Sequence, residues 1–225
     1  MKPEDLKSPF SFDERQILIR DKIWFVPDYF DRYDEFKFPG FSDEQIFGND
    51  NPVNLEYCSG NGSWVAKKAD QDHQINWVAC EIKFGRVRKI WSKIKNLELP
   101  NLFAICGEGN GVTRRYFPNE SINQVFINFP DPWPKKRHAK HRIIQAPFVE
   151  ELVRVLKPHG IVTFVTDDID YSDWTIEMFM ANKGFESCFD APFYSNEQPE
   201  YGTSYFDQLW REKGRLIRYH QFRKK

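Results

Sequence analysis

The chain has 225 residues and a formal net charge of -1, with 40% hydrophobic and 16% aromatic residues. That length suits one domain, with room for an extra arm, and an ordinary core. No apolar run approaches the ~20 residues of a membrane helix, and the charge leaves any polyanion site to local clustering.

The first residues, MKPEDLKSPF, are charged and carry no apolar leader. Residues 1–50 mix aromatics and acids without sustained periodicity, as in FDRYDEFKFPGF. They read as an irregular N-terminal arm with a few short elements. The remainder, 51–225, reads as one catalytic domain. An apolar run over 53–58 ends at Ser-Gly-Asn-Gly, and a helix follows over 63–70. A strand over 76–81 leads to a helix over 84–97, whose apolar residues fall three and four apart. Strands are expected over 102–106 and 123–129. A helix over 143–157 should stop at Pro158 and Gly160. A strand over 160–166, a helix over 172–184 and two last strands over 185–189 and 216–222 complete the series. This alternation predicts an α/β fold with a doubly wound, mostly parallel sheet and an antiparallel edge. Cys58, Cys80, Cys106 and Cys188 form no Cys-x-x-Cys pair, which favours reduced thiols in a cytoplasmic protein over disulfides or zinc.

Ligands of such sheets bind beyond the carboxyl ends of the strands. Glu56 ends the 53–58 run, and Gly60 and Gly62 occupy the turn behind it, where the backbone can approach a ligand closely. The turn lacks the full G-x-G-x-x-G fingerprint and alone is as consistent with a plain tight turn. Glu81 ends the next strand, where a carboxylate can accept from ribose hydroxyls. Glu108 follows the third, in reach of an adenine amino group. Each acid singly is an ordinary surface residue, but three at successive strand ends make an adenosine site. A pyrophosphate would sit poorly beside Glu56. The sulfonium and amino group of S-adenosylmethionine suit it better.

The most informative stretch is NFPDPWPKKRHAKHR, residues 128–142. Prolines on both sides of Asp131 stiffen a loop that presents one carboxylate. Trp133 offers a flat surface or a prop. Then come Lys135, Lys136, Arg137, His138, Lys140, His141 and Arg142. Such runs are usually solvated helix faces, but here, next to Asp131, they form a local phosphate-binding patch. Arg215, Arg218, Arg223, Lys224 and Lys225 add positive charge near the C-terminus.

From about Pro52 onward the sequence resembles the bacterial tRNA (guanine-N7-)-methyltransferases, most specifically in FINFPDPWPKKRHAKHR. The resemblance implies a Rossmann-like class I methyltransferase, monomeric or homodimeric. It would methylate N7 of guanosine 46 in the tRNA variable loop with S-adenosyl-L-methionine, without metal or membrane. It places Glu56, Gly60, Gly62, Glu81, Glu108 and Asp131 on cofactor-binding positions, and Asp131 also on the catalytic one. Lys135, Asp167, Ser204 and Asp207 fall on substrate-contacting positions, with Thr203 an alternative register. Arg137, His138, Lys140, His141 and Arg142 fall on the RNA-contact segment. The family usually has Gly where Cys58 stands, Asp where Glu108 stands and Thr-x-x-Glu where Ser204–Asp207 stand. Three rivals are weighed against this reading: a methyltransferase acting on adenine or cytosine amino groups, a non-catalytic RNA-binding relative, and a nicotinamide dehydrogenase.

Overall fold

The structure, a computed structural model, describes residues 1–28 and 30–225, with the side chain of Lys136 outside that set. The chain divides into two compact units, Met1–Pro118 and Asn119–Lys225.

The first unit contains β1 (Leu18–Arg20), β2 (Ile23–Phe25), β3 (Val53–Tyr57), α1 (Ser63–Gln71), β4 (Asn76–Glu81), α2 (Phe84–Asn96), β5 (Leu102–Cys106) and α3 (Gly109–Tyr116). Its strands lie in the order β1-β2-β5-β4-β3, antiparallel between β1 and β2 and parallel elsewhere. All residues of β3 and β4 are buried, as expected of parallel strands covered on both faces. In α2 the buried residues Val87, Ile90, Trp91 and Ile94 recur at helical spacing. The N-terminal arm is tied into this unit. Trp24 of β2 is fully buried, stacks on Phe38 at 4.8 Å and meets the edge of Tyr116. The Pro3 carbonyl accepts from Arg88 Nε at 2.8 Å, and the Met1 carbonyl accepts from Ser92 Oγ at 2.7 Å. Much of the aromatic content is thus core.

The second unit contains β6 (Ile122–Asn128), α4 (Ala146–Val155), β7 (Leu156–Thr166), α5 (Ile169–Ala181), β8 (Phe185–Ser187), α6 (Tyr205–Glu212) and β9 (Arg218–Lys224). Its strand order is β6-β7-β9-β8, with β6 and β7 parallel and β9 antiparallel to both neighbours. The helix expected over 143–157 is shorter, and Pro158 and Gly160 do not stop it. It ends at Val155, and Leu156 is already extended and opposite Ile122. The next pair is Gln124 with Ile161, so residues 157–160 bulge out of the strand. His159 there has φ 63°, and a Cβ on Gly160 would lie 2.8 Å from the Asn123 carbonyl. The two residues therefore shape a bulge. α5 begins three residues earlier than expected because Asp168 caps it, accepting from Tyr171 N at 2.8 Å.

Candidate functional site

In the first unit the acids sit at the strand ends as expected. Glu56 and Glu81 are buried, 2% and 4% exposed. Glu81 holds the glycine turn: Oε2 accepts from Gly60 N at 2.9 Å and Oε1 from Lys83 N at 2.9 Å, with Arg86 at 3.5 Å. Oε1 accepts one hydrogen bond and keeps a lone pair for a ligand, whereas Oε2 meets both Gly60 N and Arg86. Glu108 is exposed and caps α3, accepting from Asn110 N at 2.9 Å and Gly111 N at 2.6 Å. Its place in sequence is as expected, but its carboxylate also has this structural task. Asp28, on the arm, was not singled out in the sequence. Its pKa is raised, first by burial and then by the Glu108 charge, so the arm brings a second carboxyl into the field of Glu108.

The two turn glycines differ in role. Gly60 has φ 56°, and a Cβ there would come no nearer than 4.0 Å, to the Cys58 carbonyl, so it suits close approach of a ligand. Gly62 has φ 71°, and a Cβ there would lie 2.7 Å from Ile90 Cγ1. Its bareness serves packing against α2 rather than ligand approach. Cys58 adopts φ 58°, the left-handed region that glycine occupies without cost. Cys58 is exposed and Cys80 is buried, with Cys106 and Cys188 between. Burial pushes the Cys80 thiol well up and the Cys106 thiol to about 12, which keeps both protonated and poor metal ligands. Among the described residues no cluster of three or more His, Cys, Asp or Glu is placed to hold a metal, and no helix is long and apolar enough to cross a membrane.

In the second unit Asp131 is exposed between its prolines. The loop is bracketed by two left-handed residues, Phe129 at φ 47° and Trp133 at φ 46°. Bulky residues there cost roughly 1–2 kcal/mol each, so surrounding contacts must hold the loop. Phe129 N donates to the Val165 carbonyl at 2.9 Å, and Arg142 Nε donates to the Pro132 carbonyl at 2.8 Å. The Arg142 guanidinium lies over Tyr171 at 4.8 Å and Trp174 at 5.6 Å, and the residue is 8% exposed. Arg142 is therefore a brace between the loop and α5, whereas Lys135, Arg137, Lys140 and His141 are exposed and His138 is half-buried. The basic run forms a 3-10 turn over Lys136–His141, and Trp133 props it, 5.1 Å from the His141 ring and 6.0 Å from that of His138.

Asp167 follows β7, half-buried and paired with Arg215. Ser204 caps α6, accepting from Asp207 N at 3.2 Å. Asp207 is 2% exposed and binds Arg211 Nε at 2.7 Å and the Tyr219 hydroxyl. Burial and the Asp207 hydrogen bond hold the Tyr219 phenol at about 12, and the hydrogen bonds to Tyr219 and Asp207 raise the Arg211 pKa. The Ser204–Asp207 pair thus fastens α6 to β9. The exposed aromatics between those two residues, Tyr205 and Phe206, were not singled out by sequence reasoning. Two adjacent rings enclosed by Ser204 and Asp207 were the available signal.

Residues 50–219 match the model of a family described as putative methyltransferases, Methyltransf_4. The tRNA (guanine-N(7)-)-methyltransferase of Chlamydia caviae is 43% identical over 225 residues, 100% of this chain and 99% of that protein. The arm thus has counterparts in relatives of this kind. The enzyme of the same name from Streptococcus pneumoniae (strain Hungary19A-6) is 30% identical over 177 residues, 76% of this chain and 81% of its own. Among solved structures, the 16S rRNA methyltransferase KamB superposes with TM-score 0.60 at 16% identity, covering 81% of this chain and 92% of its own. The geranyl diphosphate C-methyltransferase of Streptomyces coelicolor A3(2), solved with S-adenosyl-L-homocysteine, gives 0.53 at 8% identity, covering 80% and 72%. These two establish the class I methyltransferase fold. On the sequence matches, the chain belongs to the bacterial tRNA (guanine-N(7)-)-methyltransferase family.

Proposed function

We propose that this protein transfers the methyl group of S-adenosyl-L-methionine to N7 of a guanosine in tRNA, at position 46 of the variable loop. The observation that carries the reading is the braced Pro130–Trp133 loop, which presents Asp131 ahead of an exposed basic turn. Its function in tRNA modification fits a cytoplasmic location.

The residues of the first unit suit the donor chemically. Two buried carboxylates at adjacent strand ends match a ligand with a sulfonium, an ammonium and a diol, and the bare face of Gly60 leaves room for it. Glu56 would hold the cationic end, Glu81 the ribose hydroxyls and Glu108 the adenine edge. When bound, the donor supplies an electrophilic methyl group.

Guanine N7 carries an exposed lone pair and needs no deprotonation. A strong general base would add little, and positioning supplies most of the acceleration. The guanine becomes cationic on methylation, so the Asp131 carboxylate stabilises charge as it develops and orients the ring. Lys135 and the Asp167–Arg215 pair contact the nucleotide. Arg137, His138, Lys140 and His141 hold the phosphate backbone.

Incubation with unmodified tRNA and tritiated donor, followed by nucleoside analysis, tests the reading. N7-methylguanosine is expected, and a methyl on an adenine or cytosine amino group would replace it with the rival activity. Asp131→Ala should cut turnover far more than tRNA binding. Equal losses of both would remove its catalytic role.

A further inference from the structure

Helix α6 is built inside out. Its one buried residue is the charged Asp207, while Tyr205 is 62% and Phe206 41% exposed. The cause is visible in its attachments. Asp207 points inward to Arg211 and Tyr219, and that anchor fixes the rotation of the helix and turns its rings outward. Phe206 and Trp210, four residues apart, share a face. Tyr205, Phe206 and Trp210 thus make a contiguous aromatic patch, and such patches mark interaction sites where single exposed apolar side chains do not.

The neighbours of this face identify the occupant. The Phe206 ring lies 5.9 Å from Phe129, two residues before Asp131. Trp210 carries the Arg215 guanidinium at 4.3 Å and the Lys213 ammonium at 4.7 Å, and Arg215 binds Asp167. The ridge therefore runs from the neighbourhood of one candidate substrate acid to the other. Rings flanked by cations are the surface on which unpaired bases stack while their phosphates are held. A methylated guanine also carries positive charge, which an aromatic face attracts more than the neutral base.

We propose that the guanine that is methylated stacks on the Phe206 ring and abuts the Tyr205 ring, set at 71° to it with centroids 5.3 Å apart, and that Trp210 with Lys213 and Arg215 receives the adjoining nucleotide. This rests on the tRNA-methylating function proposed above. The test is the double variant Tyr205→Leu/Phe206→Leu beside Phe206→Trp, with the parent protein as reference. The double variant should lose about tenfold or more in kcat/KM for tRNA, since stacking contributes on the order of tenfold per base. Its salt dependence should stay parallel to the parent's, because no ion pair is removed, and S-adenosylhomocysteine binding should be unchanged. Phe206→Trp should retain activity. A folded double variant within twofold of the parent overturns the proposal, as does a variant whose only change is loss of self-association in sedimentation, which would make the face an interface between copies. Absence of N7-methylguanosine with the parent protein sinks the functional reading as well, whereas a normal parent and an unaffected variant sink this inference alone. Should the double variant not fold, the parent decides: 7-methylguanosine monophosphate should bind about threefold tighter than guanosine monophosphate, and equal affinity overturns the proposal.

Discussion

His220 should make the protein acid-sensitive in a defined window. It is fully buried on β9, between the rings of Phe164, Tyr194 and Phe222. Its Nδ1 faces the Phe193 carbonyl at 3.1 Å, and a carbonyl only accepts, so Nδ1 carries the proton. Nε2 then accepts from Ser172 Oγ at 3.0 Å, and that oxygen accepts from Arg218 Nη1 at 3.1 Å. A second proton would meet an occupied hydroxyl and, beyond it, a cation. Burial above all pushes the pKa from 6.5 to about 4, the Phe193 carbonyl opposes the change, and the Arg218 charge adds to it. The depressed value means that the unfolded chain binds the proton first. Above pH 6.5 both states are neutral and stability is unaffected. As pH falls from 6.5 towards 4 the unfolded state gains a proton that the folded state lacks, and stability drops. At roughly 1.4 kcal/mol per pH unit the full loss is about 3 kcal/mol, of which about 2 kcal/mol is gone at pH 5. Urea denaturation at pH 7.5 and 5.0 measures this, with His220→Gln as the control that removes the titration. The stability difference between parent and variant should shift by about 2 kcal/mol in the variant's favour at pH 5.0. Parallel loss in both proteins would refute the reasoning.

The remaining predictions concern the basic turn and the glycine turn. Replacing Lys135, Arg137 and Lys140 together with Ala should weaken tRNA binding and flatten its salt slope by about one for each phosphate no longer held, and filter binding over a salt series would expose an unchanged slope. Cys58→Gly relieves a left-handed position at φ 58° and frees the unfolded chain, for a net gain of about 0.5–1 kcal/mol in denaturant titration; a decrease would mean that the side chain's packing outweighs the strain. Gly62→Ala drives a Cβ to 2.7 Å from Ile90 at φ 71° and should cost about 2 kcal/mol or more, visible as a lowered Tm, while Gly60→Ala, whose Cβ would come no nearer than 4.0 Å to the Cys58 carbonyl, should cost only the roughly 1–2 kcal/mol of its left-handed backbone and lower donor affinity besides.

The elements legible in the sequence share one property: burial follows periodicity. β5 is a continuous apolar run, β4 holds one over Trp77–Cys80, β3 alternates Val53, Leu55 and Tyr57 with buried Asn54 and Glu56, and α2 repeats its apolar residues at three and four. The missed elements break that link. β1 and β2 have three residues each, too few for any period to register. α3 places two glycines in its first turn and forms because Glu108 satisfies two of its open N–H groups. α4 looked longer than it is because Leu156 continues its apolar period while already paired as a strand.

The site follows the same division. Strand-end acids were readable because a strand boundary locates a carboxylate without further information. What each carboxylate binds was not, since that depends on backbone N–H groups and distant side chains. Glu81 holds Gly60, Glu108 caps a helix and Asp207 is locked to Arg211 and Tyr219. Arg142 makes the point most sharply. It ends a run of cations, and composition assigns all of them to phosphate. Its neighbours Arg137 and Lys140 are exposed, yet Arg142 turns inward onto Tyr171 and Trp174 and bonds the Pro132 carbonyl. A buried guanidinium engaged with two rings and a carbonyl cannot also reach solvent phosphate. Among the described side chains the basic segment therefore contains two kinds of residue: exposed cations such as Arg137 and Lys140, free to meet a polyanion, and Arg142, which holds the Asp131 loop against its own backbone strain.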